Sequence, residues 1–149
     1  ERAFPKPALF PEGAFAQAKL LELTQIIDLY LELPVRRVLP NLFSRKKPPE
    51  SVVDDVSAVL KKGAAAIQKL ARFDAFVLGD RFTAADIAAV IHFPVVRMIG
   101  SRVLEIDPLG AIPGLTDYLA RLEQRPTVQK IRADQTANLP DFLKHIQAH

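Results

Sequence analysis

At 149 residues the chain is long enough for one domain with a sizeable core, and 49% apolar with 25% charged residues is ordinary for a soluble globular protein. A formal charge of +3 is too small an excess to argue for nucleic acid. With no cysteine, a disulfide framework, a thiolate metal site and a cysteine nucleophile are all excluded within the chain.

Residues 1–13 read as a linker, with Pro5, Pro7 and Pro11 between Phe4, Leu9 and Phe10. Proline removes backbone donors and favours extended chain, and the apolar residues between predict that the segment lies against a surface. The chain opens with Glu1 rather than Met. The expectation is a fragment or trimmed product, so the lack of a visible signal peptide carries little weight.

Residues 14–33 predict a long helix with Leu20, Leu23, Ile27 and Leu31 as one stripe at 3.6 spacing. Leu21, Leu29 and Leu33 add a second apolar surface for a partner domain or a second subunit. Pro34 is expected to bend or end that helix, and Pro40 to end a short helical stretch over Val35–Leu39. The dense basic run Arg45-Lys46-Lys47, followed by Pro48-Pro49, reads as a solvated loop or an anion contact.

Residues 51–73 predict a second long helix. Ser51 is its candidate cap, Asp54 and Asp55 lie in its first turn, and Val53, Val56, Leu60, Gly63, Ile67 and Leu70 form its stripe. Gly63 within that stripe implies a close helix–helix approach, which offsets its cost of roughly 1 kcal/mol relative to Ala.

Thr83 and Asp86 have the spacing of a capping box, with Asp in place of the usual Glu, and Phe82 and Ile87 that of a hydrophobic staple. From Ala84 to Gly100 only Asp86, His92 and Arg97 are charged or titratable. A helix apolar nearly all round is expected to be buried on all sides, with a kink at Pro94. These three residues also keep the longest apolar run short of the roughly eighteen residues of a membrane span.

Further helices are expected over about 113–124, carrying Leu115, Tyr118, Leu119 and Leu122, and over about 127–133 after Pro126. In the tail, Leu139 to His149, the side chains of Phe142, Leu143 and Ile146 share one side of a last helical turn or two. No strand alternation or repeat is evident. The predicted fold is all-α: two long antiparallel helices, with shorter helices around a buried central one.

Three segments carry a family resemblance. Leu78-Gly79-Asp80-Arg81-Phe82-Thr83-Ala84-Ala85-Asp86-Ile87 resembles the loop, box and staple ahead of the buried helix in the C-terminal domain of cytosolic glutathione S-transferases. Ile112-Pro113-Gly114-Leu115 with Tyr118, Arg121, Arg125 and Pro126 resembles the segment that follows it, and residues 1–11 resemble the end of the preceding domain plus the linker. The resemblance covers almost the whole chain. It implies a domain, residues 14–149, that supplies the pocket for an apolar electrophile. A thioredoxin-like domain upstream of Glu1 would bind the co-substrate glutathione and carry the thiol-activating residue. It further implies a cytoplasmic homodimer, no membrane or nucleic acid partner, and no catalytic residue, bound cofactor or activity in this chain alone.

By that resemblance the second half of the first helix lines the electrophile pocket, and Tyr30, Pro34, Arg36 and Arg37 are its candidates. Tyr30 reads as a pocket residue or as a core or interface tyrosine. Arg36 and Arg37 read as contacts to glutathione carboxylates or an anionic substrate, or as a solvated pair. Asp28 is the candidate for the partner subunit's glutathione amine. Asp86 reads as a cap, and His92 as a hydrogen-bonded core histidine or a proton carrier. His145 and His149 have the spacing of a helical metal pair but lack a nearby third ligand, so no metal site is assigned. Phe142 and Ile146 read as cover for the pocket mouth or as core packing. The competing functions are a non-catalytic interaction module of the same fold and a ligand-binding regulatory bundle. The second of these lacks a helix-turn-helix with a basic recognition helix.

Overall fold

The computed structural model describes residue 3 and residues 5–147. Among these the fold is all-α, with a single isolated bridge between Phe76 and Gly79. The chain divides into two compact units, residues 1–118 and 119–149.

In the first unit, α1 (Ala14–Ile26) runs without a break through a π-helical segment, Ile27–Glu32, into α2 (Leu33–Arg36). Pro34 neither ends this helix nor remains at its surface; it is buried. A proline removes one donor and crowds the carbonyl four residues back, here that of Tyr30. The chain answers by widening: the N–H of Leu33 bonds the carbonyl of Asp28, five residues back. Pro40 likewise does not end a helix. It sits in the first turn of α3 (Leu39–Ser44), where its fixed φ suits a helix start.

The second long helix, α4 (Glu50–Leu70), begins earlier than Ser51. The carbonyl of Pro49 accepts from the N–H groups of Val52 and Val53, so Pro49 is the cap residue and Ser51 falls in the first turn. Gly63 gives α4 its close approach to the first helix. A Cβ there would stand 2.8 Å from the Tyr30 carbonyl oxygen and 2.8 Å from Leu31 Cδ2. Arg37, further along the first helix, reaches back along α4 to Asp55 at 3.6 Å. The two long helices therefore run antiparallel.

The helix α5 (Ala84–Ile99) continues as a second π-helical segment, Gly100–Leu104. Gly100 is packed so closely that a Cβ would meet Pro108 Cδ at 2.6 Å. One side of α5 forms the core of the unit, with Ala85, Ala89, Phe93, Val96 and Ile99 buried against the layer that includes Leu23, Ile27 and Leu31. Full burial of each large side chain contributes about 1.5–3 kcal/mol. The other side is not buried as the sequence suggests: Ile87, Val95 and Met98 are 41%, 36% and 37% exposed. A low charge content marks a helix that meets apolar neighbours, and part of this face has none within the described residues. The continuous helix Ala84–Leu104 is also long and apolar enough, by length and composition, to cross a membrane. The core helix of a globular domain meets the same criterion, and this one packs against α1.

α6 (Leu115–Glu123) follows a turn at Gly114. In the second unit, α7 (Pro126–Gln147) is one helix of 22 residues, where two short ones are expected from the sequence. Pro126 opens it and Pro140 lies inside it without ending it. Arg132 ties α7 to the end of α6 through Glu123 Oε1, at 3.0 Å from Nε and 2.8 Å from Nη2. Beyond Arg132 nearly all of α7 is exposed, Leu139 and Phe142 included.

Candidate functional site

The start of α5 is fixed by a buried carboxylate. Asp86 is fully buried and accepts from four donors. Its Oδ2 takes the backbone N–H of Thr83 at 2.8 Å and the Thr83 hydroxyl at 3.1 Å. Its Oδ1 takes the backbone N–H of Val77 at 2.8 Å and the Tyr118 hydroxyl at 2.9 Å. Thr83 has the extended backbone of a helix cap and pairs with Asp86 reciprocally in a capping box. Phe82, just before the cap, meets Phe76 edge to face at 5.6 Å, while Ile87 stays 41% exposed. Asp86 thus organises the fold: it holds the loop before α5, the first turn of α5 and α6 together. It faces no solvent, so it is not placed to meet a substrate.

The linker docks beside this cap. Ala84 N–H donates to the Leu9 carbonyl at 3.0 Å, and Arg81 Nη2 donates to the carbonyls of Ala8 at 3.0 Å and Phe10 at 3.4 Å. A cleft of about 450 Å³ lies there, lined by Pro11, Phe15, Lys19, Leu70, Arg72 and Arg81 among others. Sequence reasoning misses this cleft, because only the docked linker brings Pro11 beside α1 and the end of α4.

The candidate site residues of the first helix are distributed over two sides. Tyr30 is 45% exposed, and its Cβ and carbonyl lie on the α4 side, beside Gly63. Arg37 shares that side through Asp55. Arg36 pairs with Glu32 one turn back. Asp28 faces α5 instead, where its Oδ1 lies 3.6 Å from His92 Nε2. His92 is half-buried and faces this carboxylate, so it is neither a fully enclosed core histidine nor isolated. The π-helical segment Ile27–Glu32 contains both Asp28 and Tyr30. Leu29 and Leu33, on the same stretch, are 54% and 53% exposed. Among the described residues no group of three or more His, Asp or Glu side chains is arranged to hold a metal ion. His149 lies outside the described residues.

Residues 50–121, which span α4, the buried cap and most of α6, match the family model described as "Glutathione S-transferase, C-terminal domain". A glutathione S-transferase of Pseudomonas putida is 31% identical over 141 residues, which is 95% of this chain and 64% of that protein. The family model and this relative both support a glutathione S-transferase C-terminal domain here. The fold agrees with that of a crystal structure of maleylacetoacetate isomerase from Anaeromyxobacter dehalogenans, at a TM-score of 0.66 and 23% identity, covering 87% of this chain and 56% of the other. That enzyme was crystallised with dicarboxyethyl glutathione and citrate in its active site. The chain therefore spans somewhat over half the length of each of these transferase-fold proteins.

In glutathione S-transferase terms, the matched segment contains the buried Asp86 network and Gly63, but begins after Asp28, Tyr30, Pro34 and Arg37. The Asp86 network and Gly63 thus lie within the matched segment, and the candidate substrate residues lie before it.

Proposed function

We propose that this domain forms the electrophile-side wall of a glutathione-dependent transferase and works beside a thioredoxin-like domain that binds glutathione. One observation carries the reading. A chain that spans 64% of its transferase relative leaves large apolar side chains exposed on adjacent elements: Leu29, Leu33 and Tyr30 on the first helix, Ile87, Val95 and Met98 on α5. Large apolar side chains left exposed on packed neighbouring elements suit a binding or docking face. Part of it would be covered by the glutathione-binding domain, and part would receive the second substrate.

In this reading the neighbouring domain lowers the pKa of the glutathione thiol, and the helical domain holds an electrophile beside the resulting thiolate. Tyr30 offers an aromatic ring and a hydroxyl to that electrophile. Arg37 offers a charge to an anionic substituent, in competition with Asp55. Asp28, held near His92, is the candidate for the glutathione amine of a second subunit in a cytoplasmic homodimer. Pro34 acts indirectly: buried, it shapes the helical turn that presents Tyr30. The chain alone, with no thiol-activating group assigned to it, has no transferase activity.

The test is conjugation of glutathione to a halonitrobenzene by the protein in which this domain is joined to a glutathione-binding domain. Turnover supports the proposal. Absence of turnover with every electrophile and peroxide tried, together with a stable complex with another protein, favours the interaction-module reading.

A further inference from the structure

We propose that a second, cationic cleft, between the end of α3 and the π-helical segment Gly100–Leu104, binds a small doubly charged oxyanion. The cleft measures about 250 Å³, and Asn41, Arg45, Lys46, Lys47, Arg102 and Glu105 are among its lining residues. Four of these six are cationic and one is acidic. Glu105 is already engaged by Lys47 at 3.5 Å. No acidic group pairs with Arg45, Lys46 or Arg102 among the described residues. Three uncompensated cations along one concavity repel each other and concentrate positive potential within it, and an anion placed there relieves both.

The loop is held in place before any ligand arrives. Asn41 Nδ2 donates to the Lys46 carbonyl at 2.8 Å, and the Lys46 N–H approaches Ser44 Oγ at 3.4 Å. Arg45 has a left-handed backbone, φ 56°. Pro48 and Pro49 stiffen the exit from the loop into α4. Binding therefore orders side chains but little backbone, which keeps its entropic cost low. The volume is below the 300–1,000 Å³ usual for a drug-sized ligand. It suits a phosphate group or a short dicarboxylate, and Arg45 and Arg102 supply planar donors that match either oxyanion. This cleft involves neither the Tyr30 side nor the Asp28–His92 pair, so it stands or falls separately from the transferase reading.

The test is amide chemical-shift mapping of the isotope-labelled chain, titrated with inorganic phosphate and, separately, with succinate at constant ionic strength set by sodium chloride. The expected result is saturable shifts confined to residues 41–48 and 102–106. Arg45→Gln with Arg102→Gln should weaken binding about tenfold, and Lys19→Gln, outside this cleft, should leave it unchanged. Tighter phosphate binding assigns the site to a phosphate monoester, and tighter succinate binding assigns it to a dicarboxylate. Shifts that grow linearly, spread over all basic residues, or match those of chloride alone would overturn the proposal. Should the double variant misfold, the localisation of shifts in the unaltered chain still decides the matter.

Discussion

Tyr118 donates its hydroxyl hydrogen to Asp86 Oδ1 over 2.9 Å, with both groups fully buried. This one bond joins the first turn of α5 to α6, 32 residues further on. Phe73 stacks at a tilt on the same tyrosine ring, with centroids 5.1 Å apart. Tyr118→Phe keeps the ring and removes the bond, leaving the carboxylate with three donors. The expected loss is about 1.5–3 kcal/mol, as for a hydrogen bond to a charged group, read as a shift of the urea midpoint at constant slope.

Asp86→Ala removes the acceptor and leaves the N–H groups of Val77 and Thr83 and the Tyr118 hydroxyl without it in a buried site. The cost should exceed that of Tyr118→Phe and reach roughly 3–5 kcal/mol, as for other broken buried charged networks. Thr83→Ala, which retains the Asp86 contact to the backbone, should cost about 1 kcal/mol. Equal effects from these two variants, measured by chemical denaturation, would show that Asp86 is an ordinary cap and no more.

Gly63→Ala tests the helix crossing. On an isolated helix alanine would gain about 1 kcal/mol over glycine. Here the new methyl group would stand 2.8 Å from the Tyr30 carbonyl oxygen, which belongs to backbone and cannot swing aside. Overpacking of this kind costs typically about 1–3 kcal/mol, so net destabilisation is expected. A rise in melting temperature would contradict the close approach.

Exposure along α7 predicts a gradient in hydrogen exchange. Val128 is 5% exposed, whereas residues 133–145 are exposed and held mainly by the helix's own bonds and exposed pairs such as Lys130–Asp134. Such segments open at low free energy. Amides of residues 136–147 should exchange at least about a hundredfold faster than those of residues 89–96, which corresponds to about 2.7 kcal/mol. Equal protection would mean that this half of α7 is covered.

The sequence was most legible where local chemistry and core packing coincide. The spacing of Leu20, Leu23, Ile27 and Leu31 marks the buried stripe, Thr83 and Asp86 mark the helix start, and Gly63 marks the crossing. Prolines were legible as punctuation but not in sign. Pro34 read as a bend or a stop and Pro40 as a stop, yet one lies in a widened, continuing helix and the other starts one, because a proline's effect depends on where in a helix it falls. Burial of α5 was only half legible, since composition shows what a helix face prefers and not whether a neighbour is there to satisfy it. Of the Asp86 network, Thr83 was visible and Tyr118 and Val77 were not; bonds between residues distant in sequence leave no spacing to read. The candidate substrate residues follow from resemblance alone, and their division between the α4 and α5 sides of one helix emerges only from the packing.

The most direct measurement is steady-state kinetics, with Tyr30→Ala, of the protein in which this domain is joined to the proposed glutathione-binding domain. Loss of an electrophile contact worth about 1.4 kcal/mol raises KM for the electrophile roughly tenfold. The account predicts that rise with KM for glutathione essentially unchanged. If KM for glutathione moves alone, or if neither constant moves, this helical wall is not where the second substrate binds.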